Sequence, residues 1–267
     1  MSSIREKLTN MFSKVMAGTV TREEGTMLIN HLAKEDLAET VSELSYLIET
    51  PPPGVFSKTI LHTIALSRNK AFHNIIVASL DHKSEDVSIL AAQELARLKT
   101  SEAREVLVEH LMSEAYHVRK ASATALVQGF PEGAEMLKKH ILTHSEPFFR
   151  LTSAQALIKA GKKGMETLLS ILGSGNDGAI VSIAEALVAS CNELGSEDIP
   201  KIFDALMTAG DRKDTQAILE LLKVAGALKG KARGFEGYVM AFEDYPAAPV
   251  RTEAQNALKQ IRAGWSL

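Results

Sequence analysis

Small and apolar residues recur along most of the chain at an interval of about 31 residues. Residues 118–126 read Val-Arg-Lys-Ala-Ser-Ala-Thr-Ala-Leu, and residues 149–157 read Phe-Arg-Leu-Thr-Ser-Ala-Gln-Ala-Leu. Each segment places its apolar residues three or four positions apart, which is the spacing of an amphipathic α-helix. The same frame reappears in residues 56–64, 87–95, 179–187 and 250–258. A fixed period of this length predicts a repeat protein.

A second helix is predicted ahead of each of these helices. Its apolar residues also recur, in pairs such as Ile76 with Leu80 and Leu137 with Leu142. Proline and glycine separate the helices, most clearly in the run Pro-Pro-Pro-Gly at residues 51–54. Because one helix pair cannot bury its own apolar stripe, neighbouring pairs must stack. The sequence therefore predicts an all-α protein of about 16 helices with short connections. The expected architecture is a right-handed α-solenoid (superhelix) of antiparallel helix pairs.

The recurring alanines have a physical cause. Where two helix axes approach closely, a methyl group fits and a leucine side chain does not. Ala92, Ala123 and Ala154 occupy the same position in three repeats. We expect all three to lie in equivalent contacts between helices.

The segments at residues 118–126 and 250–258 resemble the second helix of HEAT repeats. Both begin with Val-Arg and end with Ala-Leu at the same spacing. The short period is similar to that of the bacterial HEAT-like repeats of phycobilisome lyases. The resemblance covers residues 55–262. It implies a HEAT-like solenoid, and it says less about function because the motif reflects packing.

The first 50 residues lie outside this frame. Thr21 and Glu24 have the pattern of a capping box at a helix start. We expect residues 1–50 to form a helical cap over the open end of the stack, or alternatively a separate docking element. Residues 51–267 then form one continuous, elongated repeat solenoid. Within the cap, helical spacing predicts three helices, over residues 3–17, 21–34 and 36–48.

Composition and charge are those of an ordinary folded protein. Hydrophobic residues make up 45% and charged residues 24% of the 267 residues, and the net charge is −3. No run approaches the roughly 18 apolar residues of a membrane helix, and the first residues lack an apolar signal segment. We therefore expect no membrane span and a cytoplasmic location.

The single cysteine, Cys191, excludes an intrachain disulfide and is expected to be a half-buried core residue.

Candidate catalytic chemistry is sparse. His140 and His144 lie four residues apart, and together with Glu146 they are candidate metal ligands. The alternative is a surface or capping role, because the helix that carries them should end near residue 143. Iron-dependent hydroxylases built from HEAT-like repeats use His-Glu dipeptides as ligands, and this chain contains none. We assign no catalytic residue, no metal ligand and no cofactor, so a non-enzymatic role is favoured.

Three arginines, Arg119, Arg150 and Arg251, share one repeat position. They could form a ladder for phosphate or carboxylate groups. The resemblance to HEAT repeats implies instead a structural role, in which each arginine bonds to an acidic side chain or a turn carbonyl of a neighbouring repeat. Ser88 and Ile180 stand at the same position in other repeats, which interrupts the ladder and favours the structural hypothesis.

Neither the basic clusters nor the glycine-rich loop indicates a nucleic acid or nucleotide partner. Lysine and arginine cluster at residues 138–140, 159–163 and 229–233. The acidic net charge and the position of the only tryptophan, Trp265, beyond the repeats argue against a DNA-binding strip. Residues 173–178 contain three glycines but lack the Gly-Lys-Ser/Thr ending of a phosphate-binding loop.

The remaining candidate is the polar face of the second helices, which is expected to line the concave side. We expect a non-catalytic scaffold or adaptor that binds a protein partner there, with a plain solvated surface as the alternative. Two other functions stay open, a cofactor-attachment or maturation factor similar to HEAT-like phycobilin lyases and, less favoured, DNA-lesion binding. The candidate partner-binding residues are Gln93, Arg97, Thr124, Gln128, Gln155 and Lys159.

Overall fold

The computed structural model describes residues 3–173 and 176–263, and this part of the chain contains sixteen α-helices and no β-strand. The predicted all-α class is confirmed. The helices are α1 (Ile4–Met16), α2 (Arg22–Glu35), α3 (Leu37–Glu49), α4 (Ser57–Leu66), α5 (His73–Ala78), α6 (Glu85–Leu98), α7 (Ser101–Glu109), α8 (Tyr116–Gly129), α9 (Gly133–Thr143), α10 (Pro147–Lys159), α11 (Lys162–Leu172), α12 (Asp177–Ala189), α13 (Ile199–Asp211), α14 (Thr215–Ala227), α15 (Glu236–Met240) and α16 (Ala248–Ala263). Short 3₁₀ helices lie at Lys70–Phe72, Ser79–Asp81, His110–Met112, Cys191–Glu193 and Lys229–Phe235.

The helices follow one another in pairs, as the repeat pattern predicts. Helix α5 packs on α6, α7 on α8, and α9 on α10, and the later helices continue in the same way. Within a pair the connection is only a few residues long, and helices that pack across so short a connection run antiparallel. Among the described residues, no helix combines the length and the apolar character needed to cross a bilayer.

The chain divides into two compact units, Met1–Phe130 and Pro131–Leu267. In the first unit the second helices α4, α6 and α8 contact one another in succession. In the second unit α10, α12, α14 and α16 form the corresponding succession. Each unit is therefore a stack of helix pairs whose second helices are in direct contact.

Small residues occupy the places where the second helices meet. Ala92, Ala123 and Ala154 are 0% exposed, which confirms their predicted burial. The contact between α6 and α8 is closer still at Gly129. A Cβ atom added to this glycine would lie 2.5 Å from the Cβ atom of Ala96. At Gly129 and Ala96, the contact between α6 and α8 therefore leaves no room for a larger side chain.

The three N-terminal helices begin and end within two residues of their predicted bounds, and they belong to the first unit. The predicted capping box of α2 is present. The backbone N–H of Glu24 donates to the hydroxyl of Thr21 at 3.2 Å, and the backbone N–H of Thr21 donates to the Glu24 carboxylate at 2.8 Å. Helices α1, α2 and α3 pack on one another, and α2 and α3 contact α4. A capping role for residues 1–50 stays a prediction.

The first helix of the last pair differs from the others. Its place is taken by the seven-residue 3₁₀ helix Lys229–Phe235 and by α15, which has only five residues. Three glycines, Gly230, Gly234 and Gly237, lower the helix propensity of this segment. The repeat pattern predicted the second helix of this pair but not the replacement of the first.

Candidate functional site

The three equivalent arginines bond to the turn inside their own repeat. Arg119 Nη1 donates to the carbonyl oxygens of Ser113 and Glu114, at 2.7 and 2.9 Å. Arg150 Nη1 bonds to the carbonyls six and five residues before it, at 2.9 and 3.0 Å. Arg251 Nη1 makes the same two bonds, both at 2.8 Å. The arginines thus have a structural role, as predicted, but the turn carbonyls belong to their own repeat and not to a neighbouring one. Arg150 in addition bonds to the next second helix, from Nε to the hydroxyl of Ser182 at 3.1 Å.

Burial explains why these bonds matter. Arg119 is 6% exposed, and burial is the main cause that lowers the pKa of its guanidinium below the ordinary value. Because arginine stays charged in proteins, a buried guanidinium needs acceptors, and the turn carbonyls supply them. In the repeat that has Ser88 instead, the serine hydroxyl donates to the carbonyl of His82, again six residues earlier, at 3.0 Å. Arginine and serine therefore both close the turn from this position, whereas Ile180 has no side-chain donor.

In the first unit, the predicted partner-binding residues lie on the face of α6 and α8 opposite the buried stripe. Gln93 and Arg97 are exposed on α6, and the Arg97 guanidinium contacts the carboxylate of Glu94 one turn earlier. Gln128 is exposed on α8. Thr124 is half-buried, and its hydroxyl donates to a backbone carbonyl one turn earlier at 2.7 Å. A role for these residues in binding stays a prediction.

In the second unit, the same repeat positions fall on α10 and α12. Lys159 is exposed and Gln155 is half-buried on α10, and Glu185 is exposed on α12. Ala154 and Leu157, which alternate with the first two along the helix, are completely buried. The second helices of each unit thus have one side in the stack and one side in solvent.

The structure places His140 on α9 and His144 just after the end of that helix. Helix α9 ends at Thr143, as predicted, and His144 follows as its C-cap with its ring 5.1 Å from that of His140. The backbone N–H of Glu146 donates to His144 Nδ1 at 3.2 Å, and the Glu146 side chain is exposed. His140 Nδ1 is hydrogen-bonded to the hydroxyl of Ser153 at 3.0 Å. Over residues 3–173 and 176–263, no three His, Cys, Asp or Glu side chains are placed to hold a metal ion together.

We expect His140 to make the fold less stable in acid. Burial, and to a smaller extent the neighbouring His144, lowers the pKa of His140 from 6.5 to about 4. A lowered pKa stabilises the fold above about pH 6.5, and this stability is lost as the pH falls through about 4. After a discount for the partial exposure of the ring, we expect a loss of about 1–2 kcal/mol between about pH 7 and pH 4.

Urea denaturation of the wild type and of His140→Gln at both pH values measures this effect. Other titrating groups are common to both proteins, so the difference in unfolding free energy between them isolates His140. That difference should shrink by the stated amount on acidification. Parallel pH profiles for the two proteins would contradict the assignment.

Several lysines of the basic clusters are engaged in bonds within the second unit. Lys138 Nζ donates to the hydroxyl of Ser170 at 3.2 Å, and Lys163 Nζ donates to the carbonyl of Pro131 at 3.2 Å. Cys191 is half-buried, as predicted. Trp265 and positions 174 and 175 of the glycine-rich loop lie outside the described residues.

A cavity of about 240 Å³ lies in the second unit, beside the starts of α11 and α13. Ile158 and Met165 form an apolar part of its wall and are nearly fully buried. No sequence pattern predicted this cavity, because part of its lining, such as Glu193 and Gly195, comes from an irregular segment between α12 and α13 that the repeat frame does not cover. Its charged lining residues are Lys162, Glu166, Glu193, Glu197, Asp198 and Lys201.

These observations define an α-helical repeat protein made of stacked helix pairs. The family of HEAT repeats matches residues 74–158, from α5 into α10, so this part of the chain is similar to HEAT repeats. The match is to HEAT repeats in general, and the phycobilisome-lyase type stays a prediction. A search of curated proteins finds no match to this chain.

Solved structures with a similar fold include three kinds of protein. Human deoxyhypusine hydroxylase in complex with glycerol is 15% identical, with coverage of 97% of both chains and a TM-score of 0.38. The karyopherin Kap121p bound to the SUMO protease Ulp1p is 12% identical, with coverage of 96% of this chain and 33% of that chain and a TM-score of 0.41. A designed armadillo repeat protein in complex with the peptide (KR)4 is 17% identical, with coverage of 88% and 98% and a TM-score of 0.32. At these identities the similarity concerns the fold alone.

Proposed function

We propose that the protein is a non-catalytic scaffold or adaptor that binds a protein partner along the exposed face of its second helices. One observation carries the proposal. Equivalent positions on successive second helices, such as Gln93 on α6 and Thr124 on α8, lie opposite the buried stripe and carry polar side chains. Repeat stacks of this kind use such extended surfaces for binding.

The chemistry of this face suits a protein partner. Gln93 and Gln128 are exposed amides that both donate and accept hydrogen bonds, and they carry no charge that would select a polyanion. Arg97 is the positive group of the α6 face, and the Glu94 carboxylate already balances it. A neutral, hydrogen-bonding surface of this type is typical of the polar part of protein–protein interfaces.

Site-specific photocrosslinking in the cells that produce the protein tests the proposal. A photoreactive amino acid replaces Gln93 or Gln155 on the second helices. The matched controls are Glu105 on α7 and Glu135 on α9, which are exposed residues of first helices. We expect the second-helix positions to give a discrete adduct with the same partner protein, while the first-helix positions give none. Equal adducts from both sets, or no adduct from Gln93 and Gln155, would show that this face is not the binding surface.

A further inference from the structure

Three exposed leucines lie at the ends of three neighbouring helices in the first unit. Leu66 and Leu98 are the last residues of α4 and α6, and Leu37 follows the end of α2 by two residues. They are 41%, 47% and 46% exposed, respectively. Helix α2 contacts α4, and α4 contacts α6. The side-chain amide of Asn30 on α2 donates to the carbonyl of Ser67, just after α4, at 3.4 Å, so these helices end side by side.

A cation lies close to each of these leucines in the sequence. Lys34 is in the last turn of α2, Arg68 follows the end of α4 by two residues, and Lys99 follows α6 directly. All three are exposed, and among the described residues none of them forms an ion pair. We call the three leucines and these three cations the leucine edge.

The carboxylates near these helix ends already have local partners. Glu35 pairs with a lysine of α1 at 3.4 Å, and Glu94 pairs with Arg97. Asp36 accepts a backbone N–H in the first turn of α3 at 2.9 Å. Hydrogen bonds from its own backbone N–H and from a neighbouring hydroxyl lower the pKa of Glu102 at the start of α7. The cations of the leucine edge are therefore available to a negatively charged partner.

Two of the cations occupy a backbone conformation that favours glycine. The φ angle is 51° at Arg68 and 53° at Lys99, which lie 31 residues apart at one repeat position. Glycine is the usual residue in this left-handed conformation at helix ends, because other side chains crowd the backbone there. Two periods after Lys99 the position is indeed Gly161, with a φ of 74°. The first unit therefore carries charged side chains where the backbone favours none.

The second unit shows that a cation at a helix end is not sufficient to mark a binding surface. Lys213 and Lys229 also have positive φ angles, 60° and 50°, after α13 and α14. The helix dipole favours such cations without any ligand. However, the leucine before Lys229, Leu228, is only 3% exposed, and Lys213 follows an arginine. The first unit differs because exposed leucines accompany its cations on successive helices.

We propose that the leucine edge binds an extended acidic segment of the partner protein, in which apolar side chains alternate with carboxylates. This proposal rests on the proposed function, since it names the chemistry of the partner, and the edge continues the second-helix face from Arg97 to Leu98. Axes of packed helices lie about 8–10 Å apart, and an extended chain advances about 3.3 Å per residue. Apolar side chains three residues apart therefore match successive leucines, and the carboxylates between them meet the cations.

Synthetic peptides test this proposal on the full chain by NMR titration. The probe is an acetylated and amidated peptide of three Leu-Asp-Thr repeats. One control peptide has asparagine in place of aspartate, and the other has serine in place of leucine. We expect the probe to shift the amide signals of Leu66 and Leu98 to saturation, and each control to bind about tenfold more weakly or not at all. Binding of the probe should weaken with added salt, because exposed charges are screened.

Glycine variants separate binding from folding. Arg68→Gly combined with Lys99→Gly removes two cations and suits the left-handed backbone, so thermal stability should be unchanged or higher. Binding of the probe should weaken about tenfold, because two exposed ion pairs are lost. The matched control is Lys213→Gly, the same change at a left-handed lysine of the second unit, and it should leave binding unchanged. Leu66→Ser combined with Leu98→Ser removes the apolar part and should also weaken binding about tenfold or more.

An edge of leucines and cations also suits an anionic lipid surface. Each leucine is more than half covered by its neighbours, which favours a protein segment over insertion into lipid. Phosphatidylglycerol vesicles test this alternative. Vesicles that bind the wild type but not the double glycine variant, together with no binding of the probe, would assign the edge to a membrane and overturn the proposal.

Equal binding of the probe and its controls, or full binding by the double glycine variant, would also overturn the proposal. These results are independent of the crosslinking experiment. No binding of the probe with retained crosslinks at Gln93 would reject the acidic segment and leave the scaffold function standing. Selective binding of the probe without any crosslink would support the leucine edge and reject the second-helix face.

Discussion

Gly164→Ala should destabilise the protein by about 3 kcal/mol or more, since overpacking against backbone is among the costliest changes of its size. Gly164 lies in the first turn of α11, which follows α10 after the sharp turn at Gly161, where φ is 74°. A Cβ atom at Gly164 would lie 2.0 Å from the carbonyl oxygen of Leu157 and 2.8 Å from the Cβ atom of Ala160. Because the first obstacle is backbone, no side-chain rotation relieves it, and α11 must shift away from α10.

Gly237→Ala is the matched control for this substitution. Gly237 also lies in a helix, α15, but a Cβ atom there meets nothing within 4 Å. We expect the Gly237→Ala variant to be as stable as the wild type or slightly more stable. The reason is that alanine has a higher helix propensity than glycine, by up to about 1 kcal/mol. Thermal unfolding compares the two, and for a chain of this size the Gly164 variant should melt roughly 6–12 °C lower. Similar melting temperatures for both variants would mean that α10 and α11 are not pressed together at Gly164.

Arg119→Ala should cost about 2–3 kcal/mol of stability, because it removes two hydrogen bonds donated by a charged group. The carbonyl oxygens of Ser113 and Glu114 lose their side-chain donor at the turn between α7 and α8. Arg119→Lys should recover only part of the loss, because a single ammonium group does not reproduce the geometry of the guanidinium. Urea denaturation at neutral pH measures both variants.

Arg97→Ala serves as the control in the same unit. It deletes the same type of side chain, but Arg97 is exposed, and among the described residues it forms an ion pair only with Glu94 on its own helix. A surface pair of this kind contributes about 0–1 kcal/mol. If the two variants lost equal stability, the turn bonds of Arg119 would have no special role.

The sequence predicted those parts of the fold in which the same packing recurs from repeat to repeat. Second helices such as α8 and α10 bury the same positions in each repeat. Small residues at these positions, Ala123 and Ala154, therefore indicate where the second helices lie. The turn arginines were also predicted as structural residues, since the position is interrupted by serine and isoleucine. Capping of α2 by Thr21 was predicted because a capping box depends only on residues three positions apart.

The sequence did not predict the cavity or the 3₁₀ helix of the last helix pair, because neither follows the repeat. The cavity brings Ile158 and Asp198 together across forty positions, and no period relates them. The acidic residues are visible in the sequence, but the burial of Asp198 depends on how the segment before α13 packs. Lys229–Phe235 departs from the repeat because glycines weaken the α-helix there. This 3₁₀ helix contacts α13, α14 and α16, which the repeat pattern does not reveal.

The bonds between the arginines and their turns also bear on how the chain folds. Each joins residues only five or six positions apart, so the entropy lost in closing the loop is small. Contacts this local favour rapid folding. During synthesis a helix pair is able to acquire its turn as soon as its arginine leaves the ribosome, before the next pair exists. Each repeat that folds later then packs against a neighbour that is already folded. This order limits the misassembly that is common in proteins with repetitive sequences.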